Sequence, residues 1–279
     1  PLVEFGRGLV FIRADDRDVY LADQSDYTVL GRLTNDGDAR HPSLSRNGRQ
    51  VVYVFGSGNG SELRLVNTAG GGGPRTLLAG DANRRNLRAP SFSPDGSRIA
   101  FAFECGGGSC LGVVNADGTG FQRVTDGSPS FDSPSFYPDG TSVLAATGNN
   151  FNGFNQFARV RLDTGAASGV ADTLGNEAIA VANRAVLSPD ATRVAFDGIT
   201  SVGSTRIFNL TLSSRAVQQV TDLGQSSASD SFPSWGGTST LYFVSDTGGS
   251  DNVYQVSASA ERESGTLQLA GGVEAWYGP

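Results

Sequence analysis

Ser91-Phe92-Ser93-Pro94-Asp95-Gly96-Ser97-Arg98-Ile99-Ala100-Phe101 is the stretch that decides the fold. Pro presets φ, Asp bonds its own backbone and Gly takes the positive φ that closes a tight turn. The flanks, Ser91-Phe92-Ser93 and Ile99-Ala100-Phe101, read as short strands, so the unit is a β-hairpin. It recurs. Ser43-Leu44-Ser45-Arg46-Asn47-Gly48 leads into Val51-Val52-Tyr53, and Ser135-Phe136-Tyr137-Pro138-Asp139-Gly140 leads into Val143-Leu144. Leu187-Ser188-Pro189-Asp190-Ala191 leads into Val194-Ala195-Phe196, and Ser234-Trp235-Gly236-Gly237 into Leu241-Tyr242-Phe243.

Aligning the hairpins brings Pro42, Pro90, Pro134, Ala185 and Pro233 to one position, at spacings of 48, 44, 51 and 48 residues. A sixth copy, Glu274-Ala275-Trp276, matches Pro233-Ser234-Trp235 and stops before any turn. Each hairpin is followed by a third strand, for example Leu111–Asn115, then by a Gly- or Ser-rich turn and a fourth strand such as Gln122–Thr125. Four antiparallel strands in about 40–50 residues is the period of a β-propeller blade. At the N-terminus, Leu9–Arg13, Asp18–Ala22 and Val29–Thr34 read as strands two, three and four of a blade without a first strand. Val273–Tyr277 would supply it, closing the ring and removing two exposed sheet edges. The expectation is an all-β, six-bladed β-propeller occupying residues 1–279 as a single domain.

The chain resembles the TolB-like six-bladed propellers built from PD40-type (WD40-like) repeats. Ser93-Pro94-Asp95-Gly96, Tyr137-Pro138-Asp139-Gly140 and Ser188-Pro189-Asp190-Ala191, each followed by an apolar strand, carry the resemblance. Arg46-Asn47-Gly48 and Trp235-Gly236-Gly237 depart from it by losing Pro-Asp. No counterpart is read here of the small α/β domain that precedes the propeller in TolB, or of the α/β-hydrolase domain of related peptidases. What the resemblance implies is therefore the fold rather than a Tol-system or peptidase role.

Composition narrows the chemistry. The formal charge of −7 disfavours nucleic acid and anionic lipid surfaces, which need clustered cations. No run is long and apolar enough for a membrane span. All 21 cationic side chains are Arg, which excludes a lysine base or Schiff base on this chain. The two cysteines, Cys105 and Cys110, stand at the ends of a predicted hairpin loop. They read either as a disulfide, which fits a periplasmic or extracellular protein, or as incidental thiols.

Strand direction separates two faces. The Pro-Asp-Gly turns lie on the bottom. The two-to-three loops and the connections between blades, which vary more, lie on top, where function concentrates. Residues just before each first strand would ring the upper mouth: Arg40 and His41, Arg88, Asp132 and Ser133, Asn183 and Arg184, Asp230 and Ser231, with Glu274 from the closing blade. This ring reads as ion pairs around a water-filled channel, or as a funnel in which Arg recognises carboxylate or phosphate. His41, the one imidazole, would have to serve any His-dependent catalysis, and no Gly-x-Ser-x-Gly elbow accompanies it. Phe151 and Phe154, set among amides, would stack on a sugar or peptide, or tuck onto a neighbouring blade. Asp15-Asp16-Arg17-Asp18, Asn35-Asp36-Gly37-Asp38 and Asp246 with Asp251 offer oxygen-rich loops in which calcium is the only cofactor considered.

The expected function is a non-catalytic binding module that takes a protein segment, a peptide or a small polar ligand at the upper mouth. The alternative is a propeller hydrolase or lyase, analogous to lactonase-like propellers, that uses the same mouth with or without a metal.

Overall fold

The computed structural model describes residues 8–23, 25–70, 72–148, 153–171, 179–200, 203–222 and 228–278. They form six four-stranded antiparallel sheets. Blade one joins Gly272–Gly278, at the end of the chain, to Gly8–Arg13, Val19–Asp23 and Val29–Arg32. The register sets Leu9 against Tyr277, Phe11 against Ala275 and Ile12 against Glu274, so the C-terminal strand closes the ring as the repeats predict. Blades two to six run in chain order, with first strands Ala39–Leu44, Arg85–Phe92, Ser130–Phe136, Ala180–Leu187 and Asp230–Trp235. No helix is long and apolar enough to cross a membrane among the described residues.

The strands carry apolar residues on both faces because each sheet is covered on both faces. Along the second strand of blade two, Gln50–Phe55, Val51 and Tyr53 pack toward blade one, while Val52 and Val54 pack toward blade three. This period-two division repeats around the ring. The cluster that joins Leu9 and Phe11 of blade one to Tyr242 and Val244 of blade six closes the circle by packing as well as by pairing.

The Pro-Asp-Gly turns are held as their residue types require. Ser93 Oγ donates to Asp95 Oδ1 (2.6 Å), which also accepts the Ser97 N–H (3.0 Å); Ser93 Oγ in turn accepts the Arg98 N–H (2.9 Å). In blade two Asn47 stands in for Asp, with Ser45 Oγ donating at 2.8 Å and the Arg49 N–H at 3.0 Å. That substitution explains how a departure from the motif keeps the turn. A second recurring device closes the fourth strand. The hydroxyls of Thr34, Thr125 and Thr221 accept the N–H of Val19, Leu111 and Ile207 at 2.9–3.0 Å.

Cys105 and Cys110 form a disulfide, with Cα atoms 5.9 Å apart, across the upper loop between Arg98–Glu104 and Ser109–Asn115.

Candidate functional site

The first strands begin earlier than the sequence suggests, and the expected mouth residues belong to them. Each first strand of blades two to six has an upper and a lower half, separated by a shift of register against its neighbour. In four blades the residue at the break has positive φ although it is not glycine and precedes proline: His41 (49°), Ala89 (48°), Ser133 (49°) and Phe232 (54°). A β-bulge re-aims side chains. Non-glycine residues in this region store about 1–3 kcal/mol of strain each and gather at functional places. The proline ring cannot donate to the ladder, so a bulge is where a strand tolerates it.

The bulges bring most of the expected residues together around the upper channel. The Arg88 Nε–H donates to Asp132 Oδ2 at 2.6 Å, in a pair whose side chains are 23% and 13% exposed. Arg40 donates to Asp38 at 2.9 and 3.1 Å and is more open. The His41 N–H donates to Glu274 Oε2, and its Nδ1, without a hydrogen-bond partner, stands 3.8 Å from the same carboxylate. Burial pushes the His41 imidazole below its usual range; Glu274 opposes that shift and Arg184 adds to it.

Arg184 is 4% exposed and crosses from blade five to blade one, where it donates to the Ala275 carbonyl at 2.8 Å. Its guanidinium lies 5.3 Å from the Phe232 ring and 5.3 Å from the Trp276 ring. It ties blade five to blade one beside the channel. Burial lowers its pKa, against the pull of Glu274 and Asp197.

Two expected residues lie apart. Asp230 is fully buried and accepts the Thr221 hydroxyl at 2.6 Å, which ties it to blade five rather than to the ring at the mouth. Burial raises its pKa. Phe154 packs against the core between blades four and five. Phe151 lies outside the described residues.

The acidic loops hold the blades together. Asp18 accepts from the Thr34 hydroxyl (2.7 Å) and the Asp36 N–H (3.0 Å), and pairs with Arg32. Asp36 accepts from Arg64 (2.7 Å) and the Tyr53 hydroxyl (2.8 Å). Burial, together with neighbouring Asp246, raises the pKa of Asp251. Among the described residues no cluster of three or more His, Cys, Asp or Glu side chains is placed to hold a metal ion.

Two features escaped the sequence reading. Asp197, fully buried, accepts the N–H groups of Asn183 (2.9 Å), Arg184 (2.8 Å) and Phe232 (3.0 Å) and the Asn183 side-chain amide (3.0 Å). Its signal was available: a carboxylate inside the apolar run Arg193-Val194-Ala195-Phe196-Asp197 must be paired if it is buried. The other is a cavity of about 380 Å³ at the lower mouth, among the Pro-Asp-Gly turns.

Six four-stranded blades around one channel define a six-bladed β-propeller, a fold shared with TolB structures. TolB from Acinetobacter baumannii is a similar solved structure, 18% identical with a TM-score of 0.73, matched over 99% of this chain and 67% of that one. A putative TolB from Agrobacterium tumefaciens is 16% identical (TM-score 0.65; 98% and 99% covered), and the nidogen/laminin complex contains a chain 12% identical (TM-score 0.69; 98% and 99%). At these identities the likeness is one of fold. No protein-family model matches the sequence, and no curated protein matches it.

Proposed function

We propose that the chain works as one propeller domain, a non-catalytic binding module whose upper channel mouth recognises a protein segment or a small polar ligand. The observation that carries this reading is the pairing of Arg88 with Asp132 and of Arg40 with Asp38, beside strained bulges and with part of each side chain still open to solvent. Partly exposed pairs can exchange partners with an incoming carboxylate or guanidinium. A nidogen/laminin complex among the similar structures supports a protein partner. The disulfide and the TolB neighbours support a periplasmic or extracellular setting.

Peptides selected on the protein from a displayed random library test the reading. They are expected to carry carboxylates and to lose at least about tenfold in affinity, about 1.4 kcal/mol, for R40A/R88A with its circular dichroism unchanged. Equal affinity for the double variant overturns it. Arg184 is left intact, since its guanidinium is part of the channel's framework.

A second reading is a hydrolase or lyase at the same mouth. An oligogalacturonate lyase in complex with manganese is a structural neighbour, 14% identical with a TM-score of 0.58 over 87% of this chain. Asp132, His41 and Glu274 are the acid–base groups it would use. Chemical conversion of bound ligand, in place of unchanged release, is the outcome that favours it.

A further inference from the structure

The lower channel holds features that the upper-mouth reading leaves unused. At the lower mouth, the cavity of about 380 Å³ falls within the range of about 300–1,000 Å³ typical of small-ligand sites. None of the upper-mouth residues lines it. Its wall is mixed on one side and aromatic on the other, with Leu44, Phe92 and Phe136 beside the serines of blades two to four. Blades two, three and four each place a serine at the same first-strand position: Ser43, Ser91 and Ser135. Blades six and one place Trp235 and Trp276, the two tryptophans of the chain. Blade order sets Trp235 opposite Ser91, and Trp276 opposite Ser135.

The hydroxyl side has capacity left over. Ser43 is 1% exposed, and its Oγ has no hydrogen-bond partner. A buried hydroxyl without a partner costs free energy and requires an explanation. Ser135 Oγ accepts the Leu187 N–H at 3.1 Å, so its own proton remains to be donated. On the other side, the Trp235 indole N–H is committed to the Val186 carbonyl at 3.0 Å, leaving that ring with only carbon surface to offer. Arg46 is the one charged residue of the lining.

We infer that this cavity is a second binding site and that its ligand is a neutral saccharide of one or two rings. A sugar ring has apolar C–H faces that stack on indole and hydroxyls that exchange hydrogen bonds with serine, which matches both walls at once. A purely apolar ligand would leave the Ser43 hydroxyl unsatisfied. An anionic ligand would find a single arginine.

Because both tryptophans line the cavity, their fluorescence reports its occupancy directly. Titration with maltose, cellobiose, lactose and sucrose is expected to give a saturable change in emission for at least one sugar. Its apparent Kd should rise at least tenfold in S43A/S91A, with thermal unfolding unchanged, and stay the same in R40A/R88A. That last arm separates this site from the upper mouth. Isothermal calorimetry on W276F, which keeps an aromatic face, guards against a variant that loses only the signal. No saturable response to any of the four sugars at millimolar concentration overturns the proposal. So does a response that survives S43A/S91A or that vanishes in R40A/R88A.

Discussion

Asp197 receives four hydrogen bonds from two blades and is fully shielded from solvent. Three of its donors are backbone amides of the first strands of blades five and six, which those strands' irregular registers leave outside the regular ladder. An orphaned buried donor costs about 1–3 kcal/mol. Replacement by Ala should therefore lower the unfolding free energy by about 3 kcal/mol or more, and Asn, which keeps one acceptor, should cost less. Urea denaturation of D197A and D197N measures this; a D197A protein within about 0.5 kcal/mol of wild type would show that the amides find other partners. Arg40, His41, Arg88, Asp132, Arg184 and Glu274 were legible because repeat alignment alone places equivalent positions at one end of the channel. Which of them pair with each other, and that Asp230 turns toward Thr221, depends on bulge geometry that no spacing encodes. Asp197 lies on a second strand, away from the aligned positions, and so was passed over.

At the scale of the element, the Pro-Asp-Gly hairpin is both the most legible feature and a pH-sensitive one. Hydrogen bonds from the Ser93 hydroxyl first, then from the Ser97 amide and hydroxyl, hold the Asp95 carboxyl at about 2. An unfolded chain would titrate it near about 3.9. The folded group thus binds its proton less readily, and its contribution to stability is complete above pH ~4 and is lost as the pH falls toward ~2. Asp190, with the Ser188 hydroxyl as its main cause, is lowered in the same direction. Asn47 shows that an amide can hold this turn, so D95N should fold and lose less than about 1 kcal/mol at pH 7. Its deficit against wild type should shrink between pH 4 and 2, as followed by urea midpoints; a deficit constant across that range would refute the linkage. Strand order and blade count were readable because each hairpin states its own turn chemistry and the third and fourth strands follow at fixed distance. Strand ends were not. The first strands extend upward past their prolines because a bulge with positive φ at His41, Ala89, Ser133 or Phe232 absorbs the break that proline would otherwise impose.

For the whole molecule, closure is the decisive property. Five blades carry a bottom turn between their first and second strands. In blade one those two strands, Gly272–Gly278 and Gly8–Arg13, are far apart in sequence, with Gly278 paired against Gly8. A terminal strand lent to a distant blade must find its place late, since loop closure over the whole chain comes before its contacts are made. Joining Gly278 to Gly8 through a copy of Ser93–Arg98, Ser-Pro-Asp-Gly-Ser-Arg, supplies the missing turn. New ends can be opened between Gly248 and Gly249, where an added Cβ would meet nothing within 4 Å at either residue. This permuted chain should fold to the same ring, since Gly8 and Gly278 are already paired and the new ends lie in a surface loop. Its urea midpoint should match or exceed that of the original, while removal of residues 272–279 should abolish the cooperative transition by uncovering the edge of Gly8–Arg13. A permuted protein that fails to fold, beside a truncated one that unfolds normally, would mean that blade one is held by something other than its borrowed strand.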